Sequence, residues 1–129
     1  MPKTKPLISI VDDDEAMRDA IKGLMRSLGY RVEAAASARE FLSSRHAHRS
    51  ACLIADMQMP GMTGLELYQR LSTSGKPVPT ILITAYPDDG VRERALSAGV
   101  TGYLSKPFDE DDLLACVRSA LMHARRGGR

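Results

Sequence analysis

Short apolar blocks alternate with longer amphipathic segments along the chain. Three of the blocks, residues 7–11, 52–55 and 80–84, are almost continuously apolar, which is typical of strands buried on both faces of a sheet. Residues 30–34 alternate between polar and apolar side chains, so we expect a strand there that is half open to water. Residues 102–105 predict a fifth, short strand.

The segments between the strands carry helical periodicity or helix-start signals. The first has four apolar side chains spaced 4, 3 and 4 residues apart, followed by a glycine that can end a helix. The second and third begin with a Ser/Thr-x-x-Glu capping box, the fourth with a proline and two acids, and the fifth with a capping aspartate. The residues of the first segment are Met17, Ile21, Leu24, Leu28 and Gly29, and the two capping boxes are Ser37 with Glu40 and Thr63 with Glu66. The fourth segment begins with Pro87, Asp88 and Asp89 and has a thin apolar stripe of Val91, Ala95 and Leu96. The fifth begins with Asp109, and its stripe is Leu113 or Leu114, Val117 and Leu121.

Strands that alternate with helices predict one parallel sheet with helices on both faces. Because only the second strand alternates in polarity, we place it at an edge of the sheet. The prediction is therefore a flavodoxin-like (βα)5 three-layer sandwich with strand order 2-1-3-4-5. Residues 1–124 are interpreted as one domain, and residues 125–129, where the apolar pattern has been lost, as a tail or the start of a linker.

Composition excludes several classes of protein. Hydrophobic residues make up 43% and charged residues 26% of the 129 residues, as in one globular domain. A net charge of +2 gives no support for a nucleic-acid arm, and 5% aromatic residues without Trp argue against stacking platforms for single-stranded nucleic acid, so we expect no direct nucleic-acid binding. No apolar run approaches the ~20 residues of a membrane span, and we expect no signal peptide. Cys52 and Cys116 lie in apolar segments and are interpreted as buried, reduced thiols, so we expect a cytoplasmic protein without membrane contact.

Polar side chains follow four of the five predicted strands. In such a sheet, ligands bind beyond the carboxyl ends of the strands, at the switch point between the first and third. The side chains that should open onto this edge are Asp12, Asp13 and Asp14 after the first strand, Asp56 after the third, Thr84 at the end of the fourth and Lys106 after the fifth.

Clustered carboxylates repel one another unless a cation neutralises them, and Mg²⁺ prefers oxygen ligands. A lysine and a hydroxyl opposite would suit the oxygens of a phosphoryl group. A carboxylate held beside the metal can then accept that group as an acyl phosphate. The four strand ends together predict metal-assisted phosphoryl transfer onto an aspartate.

Each part has a simpler interpretation when it is taken alone. The acids after the first strand can cap a helix, and Asp56 can be a turn aspartate. Thr84 can bond to the backbone, and Lys106 can be a surface lysine before a rigid turn. His46 and His48 form an H-x-H pair without an acidic or cysteine neighbour, and are interpreted as loop residues rather than metal ligands.

The segments around the four strand ends together resemble the receiver domain of response regulators in two-component signalling, and most of all the FixJ-type receivers. The resemblance covers residues 6–122 and is carried by residues 10–15, 55–64, 83–85 and 103–108. It implies a switch that takes a phosphoryl group from a sensor histidine kinase. It also implies no enzymatic activity beyond the domain's own aspartyl phosphorylation and dephosphorylation.

The resemblance implies a role for each residue around the phosphoryl group. Asp56 would be the phosphoryl acceptor, and Thr84 and Lys106 would contact the phosphoryl group. Mg²⁺ would be bound by Asp13 directly, by Asp12 mainly through water, by Asp56 and by the backbone carbonyl of Gln58.

The resemblance also implies how the signal leaves the site. Thr84 and Tyr103 would form a switch that changes the surface of the fourth helix, fifth strand and fifth helix, a surface that could form a phosphorylation-dependent homodimer. The bond from Lys106 to Pro107 would be cis. Gln58 and Tyr86 stand where residues tune phosphoryl lifetime, and FixJ-type receivers more often carry His-Gly where this chain has Tyr86 followed by proline.

Other functions fit less well or stay open. An aspartyl-phosphate phosphatase needs a second aspartate two residues after its nucleophile, and that position is Gln58. No Walker nucleotide-binding string occurs. The resemblance implies an output in transcription, through a further domain that we expect to lie outside these 129 residues. A stand-alone receiver, or an adaptor that acts by protein–protein interaction without phosphorylation, stays open.

Overall fold

Five strands alternate with five helices in the computed structural model, which describes residues 5–75 and 77–127. The strands are β1 (Leu7–Val11), β2 (Arg31–Ala35), β3 (Cys52–Asp56), β4 (Thr80–Thr84) and β5 (Gly102–Ser105). The helices are α1 (Glu15–Ser27), α2 (Ala38–Ser43), α3 (Gly64–Thr73), α4 (Asp89–Ala98) and α5 (Glu110–Gly127). All five predicted strands are present, with the second shifted by one residue.

The sheet has the order β2-β1-β3-β4-β5, and every neighbouring pair is parallel. The flavodoxin-like prediction is therefore confirmed. β1, β3 and β4 are buried along their whole length, whereas β2 at the edge exposes Arg31 and Glu33. The edge position of β2 thus follows from its alternating polarity, as the sequence indicated.

Each face of the sheet is covered by its own apolar layer. On one face, β-strand side chains such as Ile10 and Ile83 pack with Ile21 of α1 and Val117 of α5. The layer on the opposite face combines strand residues with side chains of α2, α3 and α4, among them Phe41, Leu67 and Ala95. The three-layer sandwich is confirmed, and its two cores hold the strand ends in fixed register.

One of the two predicted capping boxes is complete. Thr63 accepts a hydrogen bond from the Glu66 backbone N–H, and the Glu66 carboxylate accepts one from the Thr63 N–H in return. At α2, Ser37 accepts from the Glu40 N–H, but the Glu40 carboxylate accepts from the N–H of Ala36 instead. The second box is therefore only half formed.

Two residues assigned to apolar stripes are exposed. Leu28 is 46% exposed, because α1 ends at Ser27 and Leu28 is its C-cap. The next residue, Gly29, takes a left-handed conformation with φ +91°. Leu96 of α4 is also exposed, and Ala95 is the buried residue of that helix. Asp88 is the N-cap of α4, so the helix begins after the predicted proline turn. Few side chains therefore anchor α4.

The C-terminal helix is longer than the sequence pattern suggested. α5 continues to Gly127, so part of the stretch 125–129 interpreted as a tail is helical, and residues 128 and 129 lie outside the described residues. Cys52 is buried as predicted, whereas Cys116 on this helix is only half-buried. Within the described residues, no helix is long and apolar enough to cross a membrane.

Candidate acidic site at the carboxyl edge of the sheet

The carboxyl ends of β1 and β3 are neighbours, since Val11 pairs with Ala55. Asp12, which follows β1, and Asp56, which ends β3, are therefore adjacent and buried, with only 2% and 5% of their surfaces exposed. Asp13 joins them from the solvent side, and carboxylate oxygens of the three lie within 4.8 Å of one another. The structure brings the predicted acidic trio together.

Lys106 lies between the two buried carboxylates. Its Nζ is 3.7 Å from Asp12 Oδ2 and 3.6 Å from Asp56 Oδ2. The backbone holds it there: the Lys106 N–H donates to the Thr84 carbonyl at 2.7 Å, and the bond to Pro107 is cis, as the resemblance implied. The lysine side chain is 19% exposed, so its ammonium serves as an internal counter-ion.

Backbone N–H groups fix the other oxygen of each buried carboxylate. The Asp14 N–H donates to Asp12 Oδ1 at 2.8 Å, and the Gln58 N–H donates to Asp56 Oδ1 at 3.2 Å. Asp14 also caps α1, so the loop after β1 is tied to that helix. The Arg18 guanidinium donates to the Asp12 carbonyl at 2.7 Å. The carboxylates are thus held in set orientations before any ligand arrives.

The charge of Lys106 does not fully offset the factors that raise the pKa of Asp56. Burial is the main cause that raises the pKa of Asp56, and the Asp12 carboxylate raises it further. Lys106 and the Gln58 N–H lower it, but the net shift of the Asp56 pKa is upward. Asp13, on the solvent side, adds the smallest of these contributions. The single positive charge of Lys106 therefore does not offset the burial and the neighbouring carboxylates that disfavour the charged form of Asp56.

The donor set fits a hard divalent cation. Three carboxylates face one ammonium, and all the candidate ligands are oxygens, which is the preference of Mg²⁺. The backbone N–H of Gln58 contacts this cluster at Asp56 Oδ1, and the backbone carbonyl of Gln58 is the fourth predicted ligand. Of the described residues, Asp12, Asp13 and Asp56 form the one group of three or more His, Cys, Asp or Glu side chains close enough to hold a metal ion. His46 is not part of this group: its Nε2 lies 3.7 Å from Glu33 Oε1, a distance suited to an ion pair when the imidazole is protonated.

Thr84 ends β4 beside this cluster and is fully buried. Its hydroxyl donates to the side-chain oxygen Oε1 of Gln58 at 2.9 Å and accepts from the Tyr86 N–H at 3.0 Å. The Ala85 N–H donates to the same Gln58 oxygen at 3.3 Å. Sequence reasoning considered the backbone of Gln58 and missed this side-chain contact, because no pattern in the chain indicates which way a loop glutamine turns.

The two tyrosines near the site differ in their surroundings. Tyr86 is 74% exposed beside the end of β4. Tyr103 of β5 is half-buried and packs against the apolar layer that contains Ala95 of α4. Its hydroxyl is buried and has no hydrogen-bond partner within residues 5–75 and 77–127. The ring of Tyr103 is therefore partly inside the protein, and its hydroxyl is fully so.

Asp56→Asn is expected to unfold at a higher temperature than the parent at neutral pH without metal. A folded-state pKa above the unfolded value of 3.8 means that protonated Asp56 favours folding, and this stabilisation is lost as pH rises through the folded pKa. The variant carries no such charge, so its advantage should widen from about pH 4 to neutrality. Thermal unfolding over that range measures it, with exposed Asp19→Asn as control. A variant that melts below the parent at neutral pH would contradict the expectation.

Comparison with known proteins places this geometry in a family. The sequence profile of the response regulator receiver domain matches residues 8–118. The response regulator protein TmoT of Ectopseudomonas mendocina is 39% identical over 121 residues, which are 94% of this chain and 55% of that protein. The transcriptional regulatory protein FixJ of Bradyrhizobium diazoefficiens is 35% identical over 121 residues, 94% of this chain and 59% of that protein.

The fold comparison agrees with the sequence comparison. The crystal structure of FixJ-N superimposes with a TM-score of 0.81 at 27% identity, covering 95% of this chain and 97% of that one. The chain spans about half the length of the curated relatives it matches. This chain therefore belongs to the response regulator receiver domains of two-component signalling, as the profile match over most of the chain, the FixJ-like relatives and the 2-1-3-4-5 sheet show.

Proposed function

We propose that this chain is a cytoplasmic receiver that takes a phosphoryl group from a sensor histidine kinase onto Asp56. The observation that carries this proposal is the environment of Asp56. Its carboxylate is buried, lies within reach of two further carboxylates, and has Lys106 Nζ 3.6 Å from one oxygen. Because receivers are signalling domains, the chemistry is confined to this aspartate.

The chain's own residues prepare Asp56 for the transfer. An Asp56 oxygen attacks phosphorus, the P–N bond of the phosphohistidine breaks, and its electron pair stays on the imidazole nitrogen, leaving an acyl phosphate. The Gln58 N–H holds one carboxylate oxygen, and Lys106 lies beside the other, where it can pair with a phosphoryl oxygen. Asp12, Asp13, Asp56 and the Gln58 carbonyl would hold Mg²⁺, which supplies positive charge to the phosphoryl oxygens.

The signal then passes from Thr84 to the face formed by α4, β5 and α5. Thr84 turns its hydroxyl toward the new phosphoryl oxygens, and Tyr103 responds behind it. α4 is suited to move, because Ala95 is its one fully buried residue and the rest of the helix is partly or fully open to water. Phosphorylation would thus bias a two-state element.

Beryllofluoride, a mimic of the phosphoryl group, is expected to change hydrogen exchange across residues 86–108 of the parent. Thr84→Ala is expected to bind the mimic at Asp56 and yet leave exchange in that segment unchanged, because the hydroxyl that responds to the phosphoryl oxygens is gone. Thr73→Ala, on the exposed side of α3, is the matched control and should behave as the parent. Protection confined to Asp13, Asp56 and Lys106 in the parent would overturn the proposed route.

The α4-β5-α5 face is proposed as the output surface. A shallow cavity of about 730 Å³ lies between the two helices there, and the exposed side chains of Leu96 and Met122 line it. An apolar patch of this kind suits a phosphorylation-dependent homodimer. Light scattering with and without beryllofluoride would measure dimer formation.

Control of transcription through a further domain is the proposed output. The relatives include a transcriptional regulatory protein, of which the chain covers 59%. The reading frame after Arg129 would show whether a DNA-binding domain follows. A stand-alone receiver would act through the same face on another protein, and an adaptor without phosphorylation would fail to react at Asp56.

A further inference from the structure

Gln58 contacts both the proposed phosphoryl acceptor and the proposed switch residue. Its backbone N–H donates to Asp56 Oδ1 at 3.2 Å, and its side-chain Oε1 accepts from the Thr84 hydroxyl at 2.9 Å. The same Oε1 accepts from the Ala85 N–H at 3.3 Å. One residue therefore ties the loop after β3 to the start of the loop between β4 and α4.

The Thr84 hydroxyl has one proton to give. In this structure the proton goes to Gln58, while the hydroxyl oxygen accepts from the Tyr86 N–H. Thr84 is fully buried, whereas Gln58 is exposed, so its Oε1 reaches the Thr84 hydroxyl from the solvent side. The hydroxyl can bind a phosphoryl oxygen only after it releases Gln58 Oε1.

We infer that the Gln58 side chain is a latch that holds Thr84 in the resting position and opposes the phosphorylated conformation. This inference rests on the proposed function and concerns the equilibrium of the switch rather than the lifetime of the acyl phosphate. Release of the latch frees both the Thr84 hydroxyl and the Ala85 N–H. The Gln58 side chain then no longer connects the loop between β4 and α4 to the loop after β3.

Removal of the latch should favour the mimic-bound state. Gln58→Met keeps the length of the side chain and removes the amide oxygen, which leaves the buried Thr84 hydroxyl without its acceptor in the resting state only. A single net hydrogen bond corresponds to about 3- to 10-fold in an equilibrium constant. We therefore expect Gln58→Met to bind beryllofluoride about 3- to 10-fold more tightly than the parent at saturating Mg²⁺. Gln58→Asn, polar but too short to reach Thr84, should do the same.

A double-mutant cycle isolates the contact. In a Thr84→Ala background the latch is already absent, so Gln58→Met should leave the affinity for beryllofluoride unchanged there. Gln69→Met, an exposed glutamine on α3, is the matched control and should bind as the parent. Equal affinity of the parent and both Gln58 variants, or the same gain in the Thr84→Ala background, would overturn the inference.

A second measurement separates this inference from the proposed function. Without any ligand, the Ala85 and Tyr86 amides should exchange faster in Gln58→Met than in the parent, because Ala85 loses its acceptor and Thr84 loses its anchor. Failure of every variant and the parent to bind beryllofluoride would refute the proposed function, while faster exchange would still support the latch. Unchanged exchange at both amides would refute the latch whatever the binding result.

Discussion

Incubation with Mg²⁺ and a small phosphodonor such as acetyl phosphate is expected to add one phosphoryl group to this chain, and Asp56→Asn is expected to abolish the addition. An amide is no nucleophile at phosphorus, and the variant keeps the size of the side chain. Asp56 is the acidic residue of β3 whose carboxylate lies 3.6 Å from Lys106 Nζ and close to the other two carboxylates. Intact-mass measurement shows the gain of one phosphoryl group directly.

The control for this experiment addresses Asp12, because Asp12 is also buried and also lies 3.7 Å from Lys106. Asp12→Asn should slow the labelling through loss of a proposed metal ligand, and the label that forms should still map to the peptide with Asp56. Asp111→Asn, exposed on α5, should label as the parent. Equal labelling of Asp56→Asn and the parent would refute the assignment of the acceptor.

Mg²⁺ is expected to raise the melting temperature of the parent and to have little effect on Asp13→Asn. A ligand that binds only the folded state adds RT ln(1 + [L]/Kd), about 2.7 kcal/mol at a hundredfold excess over Kd. For a domain of this size that is an increase of roughly 10 °C. Asp13 is the suitable residue to change because its side chain is exposed, so the variant loses a proposed ligand without disturbing the core.

The metal-free proteins provide the control. Asp13 contributes to the repulsion that raises the pKa of Asp56, so Asp13→Asn should melt no lower than the parent without Mg²⁺. Measurements at matched ionic strength with NaCl separate screening from binding. Equal stabilisation of both proteins by Mg²⁺ would place the metal site elsewhere.

The sheet order and the acidic cluster could be predicted because both depend on patterns that survive without tertiary detail. Alternating polarity in residues 30–34 predicted an edge strand, and β2 lies at the edge of the sheet. Parallel strands then brought Asp12, Asp56 and Lys106 to one edge, as the structure shows. The position of a strand end is set by topology, and topology follows from the order of the elements.

The remaining features depend on tertiary contacts that a sequence pattern does not contain. Leu28 matched the helical spacing, but it is the C-cap of α1 and is 46% exposed rather than part of the core. Glu40 had the right spacing for a capping box and turned to the Ala36 N–H instead. Gln58 was expected to supply a backbone ligand and to tune phosphoryl lifetime, but its side-chain contact with Thr84 was not predicted, because the neighbouring strand selects the rotamer that makes it.

The hydroxyl of Tyr103, which has no hydrogen-bond partner among residues 5–75 and 77–127, bears on the proposed switch. A buried hydroxyl without a partner costs about 1–3 kcal/mol. Phenylalanine would avoid this cost, so it should favour the position that the ring occupies here more than tyrosine does. If the ring moves on phosphorylation, as proposed above, the missing hydrogen bond at the Tyr103 oxygen lowers the free energy that the phosphoryl group must supply.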